Sequence, residues 1–204
     1  MSKVAAATQK KLKGKDLITI GIFSALYFVV NFIFMVIGGI HPLLWMLMPA
    51  TIALFAGIPY LLMTAKVQKP GAVLLMGLIT ALIYFATGMF TLVILITMAV
   101  ACILAELVRS TGNMKSFKRN AVSYLIFNYG MTGSPLPIWL FTDQFLAQIT
   151  DQGMPADYVN TLAALASPAM LVVFFAAPLV GGLIGIAIAR GLFRKHFAKA
   201  GLVG

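Results

Sequence analysis

Asn31, Tyr84, Asn128 and Thr132 carry hydrogen-bonding side chains inside long apolar runs. In a hydrocarbon environment such groups must find partners, because water is absent to satisfy them. The partners are either neighbouring helices or a bound solute. Their spacing sorts them into stripes: Ser24, Tyr27 and Asn31 follow i, i+3, i+7; Thr80, Tyr84 and Thr87 follow i, i+4, i+7; Tyr124, Asn128, Thr132 and Pro135 follow i, i+4, i+8, i+11. Each stripe lies on one face of a helix. Trp45 and Trp139 border the same apolar runs. They form either an interfacial aromatic belt or a stacking surface for a planar ligand. His41, in the turn "GGIHP", is either an interface residue or a gate beside that ligand.

Other chemistry is missing. Cys102 is the single cysteine, so the chain forms no internal disulfide and no site of several thiolates. There is no G-x-x-x-x-G-K-[ST] phosphate loop, no H-E-x-x-H pair and no G-x-S-x-G elbow. The reading is a non-enzyme with no catalytic residues, no cofactor and no metal. Glu106 is the one carboxylate well inside an apolar run, three residues before Arg109. That spacing places both on one helix face. They form either a local ion pair at the cytoplasmic end, or Glu106 serves a proton relay or a partner contact.

These residues are positioned by a chain of 204 residues that is 61% hydrophobic and 10% charged. A soluble domain carries about 25% charged residues, and the mean hydropathy here is +1.01. The fold class is therefore all-α and integral to the membrane, in one domain. Runs long enough to cross a ~30 Å hydrocarbon core occur near 17–39, 43–65, 71–89, 91–109, 120–141 and 165–192, with one long external loop at 142–164. The first run is too long for a signal-peptide core of about 7–15 residues. Six crossings put every Lys and Arg on one side and Asp143, Asp151 and Asp157 on the other. The positive-inside rule then makes both termini cytoplasmic in the cell membrane. The net charge of +10 reports topology, and no polar basic domain exists to bind nucleic acid.

At 1.5 Å per residue, Asn31 and Tyr84 fall roughly 20 Å from the cytoplasmic end, and Asn128 about 12 Å from it. The stretch "NYGMTGSPLPIWLF" holds Gly130, Gly133, Pro135 and Pro137 and predicts a broken helix. Broken helices at membrane depth are tolerated where they line a cavity. Together these features predict an externally open pocket for a small, largely uncharged or aromatic molecule. The 142–164 loop divides at Gly153-Met154-Pro155 and is either a lid over that pocket or a solvated connector. Gly21 and Ala25, and separately Gly181, Gly185, Ala187 and Gly191, make small-residue faces for close helix contact, within the bundle or with a partner.

The segments "GKDLITIGIFSALYFVVNF", "GGIHPLLWMLMPATIALFAGIPYLLMTAKVQKPG" and "LAELVRSTGN" resemble the S components of energy-coupling factor (ECF) transporters, in particular the MptD or Trep_Strep group. The resemblance implies a substrate-capture subunit that docks on a transmembrane coupling subunit driven by two ATPase subunits. It delivers a vitamin or similar micronutrient by toppling in the bilayer. The resemblance maps the A-x-x-x-A docking motif onto Gly21 and Ala25, with glycine in place of the first alanine. It puts the ligand pocket on the outer side, built largely by the later helices and the first and third external loops, a location that agrees with the candidates read from the residues themselves: Asn31, His41, Trp45, Tyr84, Thr87, Asn128, Thr132 and Trp139. Two rivals stay open. One is a self-sufficient secondary transporter; the other is a membrane enzyme or assembly factor using Glu106 and His41.

Overall fold

A computed structural model describes residues 11–87 and 91–193. Lys3, Lys10, Arg194, Lys195 and Lys199, counted among the basic residues above, lie outside the described residues. Among those described, every regular element is helical.

Helix α1 (Gly14–Gly38) opens where the Lys13 backbone N–H donates to Asp16 Oδ2 at 2.7 Å. Lys69 Nζ pairs with the same oxygen at 2.5 Å, which ties the start of α1 to the chain after α4. The expected single helix over 43–65 is three pieces: α2 (Pro42–Met46), α3 (Met48–Phe55) and α4 (Gly57–Lys66). The last two meet at 45°. Proline explains the division, because Pro42, Pro49 and Pro59 each sit in a first turn, where a missing N–H costs nothing. His41 Nδ1 accepts from Leu43 N–H at 3.1 Å and caps α2.

Helices α5 (Ala72–Ala86) and α6 (Leu92–Ser110) are separate, as the sequence reading divides them. Thr91 Oγ1 caps α6 by accepting from Ile94 N–H. Helix α7 (Phe117–Asn128) gives way to a 3-10 turn at Tyr129–Gly133 and then to α8 (Pro137–Leu140). This is the predicted break. The 142–164 segment folds as α9 (Thr142–Asp151) and α10 (Ala156–Leu165), divided at Gly153, whose φ is 88°. Helix α11 (Pro168–Leu192) ends the described chain.

By length and composition α1, α6 and α11 can each cross a membrane, and the bent pair α3–α4 is a fourth candidate if the two helices make one span. At 15 residues α5 is shorter than the ~20 a full crossing needs. Large apolar side chains such as Ile18, Leu78, Leu82, Leu92 and Val172 face outward, more than half exposed. A lipid-facing surface has that composition.

Two hydrophobic cores are distinct. The larger gathers Tyr27, Ile52, Tyr60, Met76, Tyr124 and Phe127 from the main bundle. The smaller holds Met46, Ile138, Ile149 and Leu162, and seats α9 and α10 on α2 and α8. Helix α11 lies close along α3, where a Cβ at Gly185 would stand 2.6 Å from the Ala53 and Leu54 carbonyl oxygens. The later small-residue stripe is therefore spent inside the bundle at Gly181 and Gly185. By contrast, a Cβ at Gly21 would meet nothing within 4 Å, and Ala25 is exposed.

Candidate functional site

The sequence reading pairs Glu106 with Arg109, and the structure corrects it. Among the described residues the one ion pair within 4 Å is Lys69–Asp16. Glu106 instead accepts from Gly71 N–H at 2.9 Å and Val73 N–H at 2.8 Å, capping α5. Arg109, fully buried, donates to Asn120 Oδ1 at 3.1 Å and Lys69 O at 3.1 Å. It also donates to Thr64 O and Val67 O at the end of α4. Helix ends leave N–H and C=O groups without intrahelical partners. The α4–α5 turn presents both kinds, and they occupy the two side chains in place of a direct contact between them.

The opposite end holds a cavity of about 340 Å³. Its walls are Met35 and Gly39 at the end of α1, Trp45 on α2, Thr91 and Ile94 at the start of α6, and Ser134 after the 3-10 turn. Its roof is Phe145, Gln148, Ile149 and Gln152 of α9, Met154, and Tyr158 and Leu162 of α10. No Lys, Arg, Asp, Glu or His lines it. Trp45 and Phe145 stack with ring centroids 5.5 Å apart and planes within 17°. The Tyr158 hydroxyl donates to Gly38 O at 2.9 Å, latching the roof to α1. Burial pushes the Tyr158 phenol up to about 12, so it stays neutral. A smaller space of about 180 Å³ shares Thr91, Phe145 and Gln148 with this cavity.

One helical turn inward from Met35 lies Asn31, fully buried. Its Nδ2 donates to Tyr27 O at 2.6 Å, while Oδ1 has no partner. Among the described residues the other buried side-chain atoms without a hydrogen bond are Tyr27 Oη, Tyr84 Oη and both amide atoms of Asn128. The amides of Asn31 and Asn128 lie beside the Tyr27 and Tyr124 hydroxyls without reaching hydrogen-bond geometry. Tyr124 gives its proton to Ala53 O at 2.6 Å. Leaving a buried donor or acceptor unmade costs about 1–3 kcal/mol. Tyr27, Asn31, Tyr84 and Asn128 thus hold five buried side-chain atoms without a hydrogen bond, together termed the polar layer.

The remaining sequence candidates fall elsewhere. Of the eight, Trp45 alone lines the outer cavity, while Asn31, Tyr84 and Asn128 make up most of the polar layer. His41 is exposed and spent on capping. Thr87 is exposed and bonds back to Ile83 O and Tyr84 O. Thr132 Oγ1 donates to Tyr129 O at 2.7 Å and borders a separate, apolar groove. Trp139 Nε1 donates to Ser167 O at 3.2 Å, and its ring rests on Phe174.

Thr91, Ser134, Gln148, Gln152 and Tyr158 are polar lining residues that sequence reasoning did not single out. A signal existed for two of them, Gln148 and Gln152. Phe145, Gln148 and Gln152 follow i, i+3, i+7 along α9, one face of an amphipathic helix. Nothing local distinguishes Thr91 or Ser134.

A family model described as "Hypothetical bacterial integral membrane protein (Trep_Strep)" matches residues 14–199, and the chain belongs to that family. No curated protein and no solved structure matches the chain.

Proposed function

We propose that this Trep_Strep protein is the solute-capture subunit of an ATP-driven importer of the energy-coupling factor type. In this reading six segments cross the cell membrane, both termini are cytoplasmic, and the roofed cavity opens outward. A small, neutral, planar molecule enters beneath α9 and α10 and stacks on Trp45. It then offers hydrogen bonds to the polar layer at Asn31, Tyr84 and Asn128. The observation that carries the proposal is the uncharged, aromatic-lined cavity whose wall residue Met35 lies one turn from Asn31, one of four residues holding five orphaned polar atoms. An empty protein bears that cost when a ligand repays it.

The protein itself is no enzyme in this reading and uses no cofactor. A membrane coupling subunit and two ATPase subunits supply the energy. The open face at Gly21 and Ala25 suits their docking, since its small side chains are not covered within the bundle.

Co-purification with ATPase subunits, and ATP-dependent uptake that stops without them, are the expected results. Uptake by the purified chain alone in liposomes overturns the importer reading in favour of a secondary transporter. Thermal-shift screening against vitamins, nucleobases and pterins identifies the ligand. Full ligand affinity in the Asn31→Ala, Asn128→Ala double variant removes the polar layer from the site.

A further inference from the structure

A second concave surface lies on the outside of the bundle. It is an apolar groove of about 620 Å³ between α6, α7 and α11. Val100 and Leu104 of α6 form one wall, Phe175 and Leu179 of α11 the other, and Val122 and Ile126 of α7 the floor. Near its outer limit the Tyr129 hydroxyl donates to Phe175 O at 2.8 Å, a strap joining the end of α7 to α11.

The groove's inner end is cationic. Arg119 is one turn from Val122 on α7, and Arg190 is eleven residues, three turns, beyond Leu179 on α11. Both spacings return to the same helix face. Arg119 Nη1 donates to Val108 O of α6 at 3.2 Å. The Arg190 guanidinium rests 5.7 Å from the Phe117 ring centroid. Both side chains are exposed, and each is steered by a residue on a neighbouring part of the bundle. Lys115 and Lys118 are exposed at the same end.

We propose that this groove is a binding site for one anionic phospholipid. Its acyl chains lie along Val100, Leu104, Val122 and Leu179, and its phosphate sits between Arg119 and Arg190. Length argues against a protein helix as the occupant. From Val122 to the Tyr129 strap is about 10 Å, seven residues at 1.5 Å each, whereas a membrane-spanning partner presents about 30 Å. Charge selects among lipids. A basic residue at the membrane surface contributes a factor of about five toward an anionic headgroup, so two together contribute about 25-fold.

The test uses the full chain in mild detergent, titrated with phosphatidylglycerol or phosphatidylcholine of identical acyl chains and read by native mass spectrometry. One phosphatidylglycerol is expected to stay bound with at least about tenfold preference. Arg119→Gln combined with Arg190→Gln brings that preference to within about twofold. Leu104→Trp and Val122→Phe, which fill the groove, lower retention of both lipids. Leu78→Trp, on a lipid-facing surface away from the groove, changes neither. Equal retention of the two lipids by the native chain overturns the proposal. So does unchanged phosphatidylglycerol retention in both groove-filling variants, or a protein partner held at this face in place of lipid. Melting curves confirm that each variant is folded; if one filler misfolds, the other filler and the double arginine variant still decide.

Discussion

The two ends of the bundle treat buried polarity in opposite ways. At the basic end Arg109 is fully buried and donates to four acceptors, and Glu106 accepts from two backbone N–H groups. Ser123 and Tyr60 complete the arrangement: Ser123 Oγ donates to Ala105 O at 2.7 Å and lies 2.6 Å from Tyr60 Oη. Beneath the roofed cavity, by contrast, Tyr27, Asn31, Tyr84 and Asn128 hold unpartnered atoms. A satisfied buried network rigidifies a structure, whereas an unsatisfied one costs stability until something completes it. In the proposed reading one end is a fixed plate and the other a receptor.

The largest test of this contrast is Arg109→Met. It strands the carbonyls of Thr64, Val67 and Lys69 and frees Asn120, so a loss of about 3–5 kcal/mol in unfolding free energy is expected. Thermal denaturation in detergent measures it, and a loss below about 1 kcal/mol breaks the picture of a fixed plate.

Asn128→Leu should behave in the opposite sense. Removing an orphaned amide leaves the empty protein equally stable or slightly more so, while ligand affinity falls at least about tenfold. Paired calorimetric and binding measurements separate the two effects, and a strongly destabilised empty protein would show that Asn128 is structural.

Smaller effects are expected at the roof. Trp45→Ala removes the partner of Phe145 and weakens binding of a planar ligand by about three- to tenfold. Tyr158→Phe deletes the latch to Gly38 O, and ligand release accelerates by about fivefold in stopped-flow experiments. The smallest effect is that of pH. Tyr158 is the one titratable group lining the cavity, and burial pushes it up to about 12. Neutral at ordinary pH, it loses its proton only as pH rises toward that value. Binding should therefore be flat from about pH 6 to about pH 9. A titration within that range points to a charged group that reaches the ligand.

Much of the architecture was legible in advance. The break after Asn128 follows from Gly130, Gly133, Pro135 and Pro137, and the division of the roof from Gly153-Met154-Pro155. The bend within 43–65 was also written in the chain, at Pro49, Gly57 and Pro59, but an unbroken apolar run hides such joints when hydropathy is read alone. Of the candidate site residues, Asn31, Tyr84 and Asn128 lie buried with unbonded side-chain atoms, and their stripes drew notice because an amide inside a greasy helix is conspicuous whatever surrounds it. The cavity lining was harder. Thr91 and Ser134 are ordinary residues at helix ends, and His41 and Trp139 attracted attention for chemistry that they spend on a cap and on Ser167 O.

By itself the sequence determined the solvent this chain lives in, the gathering of its basic residues at one end, and the helix faces that carry polar groups. Those are properties of composition and period, and they survive any arrangement of the helices. Tertiary structure alone decided what each face meets. It sent Gly181 and Gly185 against α3 and left Gly21 open, and it engaged Glu106 and Arg109 with the α4–α5 turn in place of a direct ion pair. It also left Asn31 Oδ1 and both Asn128 amide atoms without hydrogen bonds. A period assigns a side chain to a face, but satisfaction depends on atoms brought from distant parts of the chain, and only packing supplies those.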